Sequence, residues 1–385
     1  MMALLRSRRG LAVLVRIGLL VAIGWWGLHA SGLMARSLPP NASAWPNTDF
    51  QRTSIDLAEI LSGGPPKDGI PAIDKPLFVP PAEAAEWLDP REPVISVVDG
   101  GDARAYPLQI LIYHEIVNDT VGGKPMAVTF CPLCNASIVF DRRINGRVLD
   151  FGTTGLLRKS DLVMYDRQTE SWWQQFTGTA IVGELNGMEL LQIPSAIVAF
   201  KDFADRYPEG KVLSRKTGHF RPYGRNPYRG YDRIGNVPFL LQDPTDDRLP
   251  AMERVIGVSQ ANAHRVYPFS AFRDQAVIND SFAGVPVAVF SKEGTLSALD
   301  QGDIKSSRSI PSATAYRREL GDRILHFEVR NGVIHDRETG SQWNLFGEAV
   351  GGILRGNQLT PLPGGVHFAF AWLAFRPETE IYGQR

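Results

Sequence analysis

Apolar residues along this chain change period several times. From Leu11 to Met34 they run almost unbroken, interrupted by Arg16, His29 and small residues, and beyond that the apolar runs are short. Val94 to Val98, the turn-forming Asp99-Gly100-Gly101 and the resumed run Ala103 to Tyr106 predict a hairpin. Pro107 is expected to open a helix reaching Asn118, because its missing N–H is no loss in a first helical turn. Met126 to Phe130 and Ser137 to Phe140 are rich in β-formers, and Asn145-Gly146 predicts a tight turn before Val148 to Phe151. Short helices are expected at Thr53 to Leu61 and at Ser195 to Tyr207, the latter stopped by Pro208. With 37 glycines and 27 prolines as punctuation, the pattern predicts a mainly β fold with minor α (α+β).

The chain also resembles itself. Shifted by 161 positions, Val94, Ile95, Tyr106, Pro107, Asn118, Asp119, Gly123, Pro125 and Ala127 fall on Val255, Ile256, Tyr267, Pro268, Asn279, Asp280, Gly284, Pro286 and Ala288. Shifted by 170, Asp166, Arg167, Thr169, Ser171 and Trp173 fall on Asp336, Arg337, Thr339, Ser341 and Trp343. A tandem duplication follows. The expected layout is a signal or membrane-anchor helix over 1–36 and a proline-rich extended arm over 37–90. Repeat 1 covers 91–214, a basic Tyr/Gly/Pro-rich linker 215–251, and repeat 2 covers 252–385.

Five arginines and no acid lie in residues 1–48, with Arg6, Arg8 and Arg9 ahead of the apolar run. The positive-inside rule then keeps the start in the cytoplasm and sends the rest across. The expected place is the periplasmic face of the inner membrane, or the periplasm or exterior after signal cleavage. Arg8-Arg9 also partly resembles a twin-arginine signal. Overall, 41 basic side chains balance 41 acidic ones, so no long-range field attracts nucleic acid. The linker run from Arg215 to Arg233 has six basic residues and three tyrosines, and its arginines are expected to pair with carboxylates of the repeats. Protein and small-molecule partners are left open.

Only two cysteines occur, and only in the first repeat: Cys131-Pro132-Leu133-Cys134, opposite Lys292 and Thr295 of the second. His114 and Glu115 likewise stand opposite Gln275 and Ala276. A C-x-x-C pair brings two sulfurs to one side, either to chelate a metal or to close a disulfide. The β-branched run that follows places the pair at a strand-to-strand turn, which suits a metal knuckle better than a helix-opening redox nucleophile. Cys131, Cys134, His114 and Glu115 are the expected metal ligands, with Zn or Cu as the expected cofactor. Redox chemistry or thiol catalysis through Cys131, Cys134 and His114 remains open, as does a non-catalytic binding or assembly module with a structural disulfide. Arg158 and Ser160, beside Lys159 and Asp161, form a candidate anion clamp. Asp166 and Thr169, which recur in both repeats, are read as turn-forming side chains. His219, His264, His326, His335 and His367 have no metal-like spacing.

Tyr106-Pro107, the run His114 to Asp119, Thr129 to Cys134, Phe151-Gly152, Met164 to Arg167 and Tyr223 to Tyr228 together resemble the prokaryotic domain-of-unknown-function family DUF3179. The resemblance covers most of residues 90–385. It implies an exported protein bearing the cysteine motif, and it carries over no activity. Many relatives have glycine after the second cysteine. Here Asn135 stands there, a residue that tolerates the left-handed backbone a tight turn requires.

Overall fold

The computed structural model describes residues 38–384. The expected signal or anchor segment lies outside the described residues, among which no helix is long and apolar enough to cross a membrane. The fold is mainly β, and the α-helices among the described residues span four to seven residues.

The predicted hairpin forms as Pro93–Asp99 against Asp102–Pro107, with Val94 opposite Pro107. The helix after Pro107 is much shorter than expected, covering Leu108–Leu111, and the chain re-enters a strand at Ile116–Val121. Glu115 separates the two with φ 58°, a left-handed conformation that no helix continues through. The strand prefers its β-branched Ile116, Val117 and Thr120. Ser195 to Tyr207 also divides, into strand Ala196–Ala199 and helix Phe200–Arg206 ahead of Pro208. In the arm, Thr53 to Leu61 yields a single 3-10 turn, Leu57–Glu59. Strand Ile60–Ser62 follows and adds to the edge of Phe151–Arg158.

Among the described residues, each half contributes three sheets of three to five strands and one two-stranded ribbon. Residues related by the sequence shifts make matching contacts. Val255 pairs with Pro268 as Val94 pairs with Pro107. Tyr106 Oη donates to Asp119 at 2.6 Å, and Tyr267 Oη to Asp280 at 2.8 Å. The Trp173 and Trp343 indoles each donate to the aspartate seven residues back, at 2.9 Å. The Thr169 and Thr339 amides donate to those same aspartates, as a turn-forming role requires. Two apolar clusters join the halves: one sets Phe130, Cys131, Trp173 and Phe176 in continuity with Val255, Phe368 and Trp372, and the other sets Val94, Phe200 and Phe203 with Phe290, Phe327 and Trp343.

Candidate metal centre

Two turns meet at the cysteines. Lys124–Cys131 and Ala136–Asp141 form a hairpin in which Cys131 pairs with Ala136, so residues 132–135 make the connection. Asn135 takes φ 48°, the left-handed position anticipated for it, and its N–H closes the turn on Pro132 O at 3.2 Å. Both sulfurs are thereby turned to one side, buried and free.

The second turn joins Phe151–Arg158 to Asp161–Asp166 through Lys159 and Ser160, both at positive φ (52° and 66°). A two-residue hairpin loop of this hand fits strand twist, but it favours Asn and Gly, and each other residue costs roughly 1 kcal/mol or more. The corresponding hairpin of the second half, Phe327–Arg330 with Val333–Asp336, turns on Asn331-Gly332 and has four residues per strand, against eight and six in the first half. The longer hairpin delivers Ser160 and Asp161 to the cysteines. Ser160 O accepts from Cys134 Sγ at 3.5 Å and from Cys131 Sγ at 4.0 Å.

The two sulfurs and a carboxylate oxygen of Asp161 all lie within 4.8 Å of one another, and all three residues are buried. Asp161 Oδ2 accepts from Gln174 Nε2 at 2.7 Å and from Phe176 N at 2.9 Å. Its Oδ1 is buried with no hydrogen-bond partner. Burial outweighs those hydrogen bonds and pushes the Asp161 carboxyl up to about 6. Burial also pushes both thiols up, Cys134 well above the ordinary range. Buried sulfurs with raised pKa values are the opposite of what an attacking thiolate requires.

Glu115 is buried beside the cluster, where burial first and the Asp161 charge second push it up to about 8. Its backbone is tied to the cysteine strand, Phe130 N donating to Glu115 O at 2.8 Å. Glu115 nevertheless stands outside the three-residue group. His114 stands outside it too, contrary to expectation. One of its ring nitrogens is 2.7 Å from Pro71 O and the other 2.7 Å from Tyr223 Oη. Burial holds its pKa down to about 4, so a neutral, fully engaged ring braces the arm and the linker.

The candidate anion clamp is also absorbed by protein groups. Arg158 pairs with Glu59 at 2.8 Å and reaches Gln174 Oε1 at 3.4 Å, and so steadies the amide that holds Asp161. Ser160 is buried and donates to Phe239 O at 2.5 Å. Among the linker arginines, Arg215 does not pair with a carboxylate but hydrogen-bonds Gln109 and Trp87 O. Arg225 lies 3.9 Å from Asp303.

Sequence reasoning did not single out Asp161 as a ligand, nor Tyr228 and Tyr231. The signal for Asp161 was present: it belongs to the polar run found only in the first half, and the 170-residue shift sets it opposite Asn331. Burial raises the pKa of both tyrosines, with the charges of Glu115 and Cys131 adding for Tyr228 and those of Cys134 and Cys131 for Tyr231. The linker thus packs two phenols against the apolar core that holds the cysteines. Four acids are gathered here, Cys131, Cys134, Asp161 and Glu115, and among the described residues no cationic side chain is hydrogen-bonded to any of them.

A family model described as a protein of unknown function, DUF3179, matches residues 67–379. No curated protein and no solved structure matches the chain.

Proposed function

The chain belongs to the DUF3179 family, and from its own residues we propose that it is an extracytoplasmic protein that holds one zinc-type metal ion. The ligands are Cys131 Sγ, Cys134 Sγ and Asp161, and the fourth position is open to water or to the neighbouring Glu115 carboxyl. The duplicated architecture supports this reading, in that the second copy serves as a scaffold without sulfur while the first carries the chemistry. The arginine-led apolar segment at the N-terminus supports export.

The observation that carries the proposal is the buried, unpartnered Asp161 Oδ1 beside two buried thiols. Burial keeps the two thiols and Glu115 protonated near neutral pH and leaves Asp161 Oδ1 without a hydrogen-bond partner. A divalent cation reverses this, deprotonating thiols and carboxyls together. Two thiolates with carboxylate oxygens form a donor set suited to tetrahedral Zn²⁺ and unsuited to Mg²⁺ or Ca²⁺. The same pair of free thiols also supports a second reading, a Cys131–Cys134 disulfide serving redox chemistry or stapling a binding module.

Metal analysis of the purified full chain separates the two. Binding predicts close to one metal per chain, lost in Cys131→Ser and in Asp161→Asn. A metal-free protein whose cysteines resist alkylation until reduced supports the disulfide and ends the metal reading.

A further inference from the structure

A cavity of about 430 Å³ lies between the halves and is bordered by Ser137 of the cysteine hairpin's second strand. Its walls are the ends of sheets. Gln192–Ile193, Ala196–Ala199, Ser309–Arg317 and Gly364–Phe368 are each the terminal strand of their sheet, and all four line the cavity. Terminal strands present backbone N–H and C=O groups to whatever lies beside them, although part of this edge is already used: Ala315 O accepts from Leu362 N and Arg317 N donates to Thr360 O, each at 2.9 Å, and Gly364 O accepts from Gln192 Nε2 at 3.2 Å. Ser137 also lines the space, and its hydroxyl is buried without a hydrogen-bond partner. The two charged lining residues, Asp99 and Lys124, neutralise one another at 2.7 Å. The remaining lining mixes small or apolar groups such as Ala196, Ile197, Ala313 and Gly365 with neutral polar ones.

We propose that this cavity binds a short, uncharged segment of extended polypeptide. Strand ends supply main-chain hydrogen bonds, and small lining residues leave room for a backbone to approach. The Ser137 hydroxyl gains the partner it lacks. Cancelled charge on the wall gives an anionic or cationic ligand nothing to pair with. The size falls in the range of ordinary ligand sites, and a boundary between homologous halves is a usual place for one. The inference is independent of the metal, because none of the proposed ligands lines this space.

The test is calorimetric titration of the full chain with a blocked, uncharged tetrapeptide, N-acetyl-Ala-Val-Ala-Val-amide, on metal-replete and metal-stripped protein alike. The expected result is saturable one-to-one binding. Ser137→Ala weakens it about tenfold, as the loss of one buried neutral hydrogen bond does. Ala196→Phe, which fills the space, abolishes it. Leu191 stands on the rim 71% exposed, so Leu191→Asp leaves the fold untouched and should weaken binding severalfold. Absence of saturable heat overturns the proposal, as does unchanged affinity in all three variants. Equal binding of an acidic tetrapeptide overturns the neutral class, and displacement of the peptide by trehalose overturns the peptide class.

Discussion

At the residue scale the chemistry turns on two carboxyls. Asp161 is held at Oδ2 and left open at Oδ1. A buried acceptor without a partner costs about 1–3 kcal/mol, which a bound cation removes. Asp161→Asn keeps the shape and deletes the charge. It is expected to weaken metal binding by at least about 100-fold, more than the loss of an outer-shell group does. Competition with a chromophoric chelator measures this. Glu115 sets a pH dependence of defined sign. Its folded pKa of about 8 lies above its ordinary 4.5, so the folded state keeps a proton that the unfolded state has released. Its stabilising contribution to the metal-free protein is complete below about pH 4.5 and is lost as pH rises through 8. Raising the pH from 6 to 7.5 should therefore cost on the order of 2 kcal/mol in urea unfolding. Glu115→Gln should flatten that slope, while metal affinity should rise with pH over the same range because binding expels protons.

At the scale of elements, the two turns that form the site carry strained backbone. Asn135 at φ 48° permits the cysteine knuckle. Asn135→Gly should therefore be close to neutral, whereas Asn135→Val should lower stability by more than about 1 kcal/mol and reduce metal loading, measured by thermal unfolding and metal content. This knuckle was legible in the sequence, since proline, two cysteines and asparagine between β-branched runs have few alternatives. The hairpin at Pro93–Asp99 was equally legible from its alternation and glycines. Two features resisted prediction for physical reasons. The helix expected through Asn118 stops at Leu111 because Glu115 adopts a left-handed backbone that its residue type does not advertise. Asp161 arrives by the extra length of a hairpin that turns on Lys159-Ser160 instead of Asn331-Gly332, and no local propensity marks a turn made of lysine and serine. Adjacency in sequence to Glu115 says nothing of direction, and the His114 ring hydrogen-bonds Pro71 O and Tyr223 Oη.

At the scale of the whole molecule, shared apolar clusters tie the halves together, and a buried ionic knot ties the linker to the second half. Asp232, from the linker, is fully buried and accepts at Oδ2 from Arg254 at 2.8 Å and Arg308 at 2.7 Å. Asp232→Ala leaves Arg254 buried without its carboxylate and should cost about 3–5 kcal/mol. Because the core is shared, the loss should move a single unfolding transition rather than split it, as calorimetry would show. His367, in the second half, packs against Phe176 of the first, with ring centroids 4.9 Å apart, and burial holds its pKa down to about 3. Its folded pKa lies below the ordinary 6.5, so its contribution is complete above that pH and is lost as pH falls toward 3. At pH 4.5 the loss is about 2–3 kcal/mol, and His367→Phe should remove it from urea midpoints. All of this scaffolding serves one pocket of sulfur and carboxylate, and X-ray absorption at the metal edge tests that pocket most directly. The expected spectrum shows two sulfur scatterers near 2.3 Å with oxygen near 2.0 Å and no imidazole pattern. An imidazole signature, or protein that isolates with a Cys131–Cys134 disulfide and no metal to examine, would contradict it.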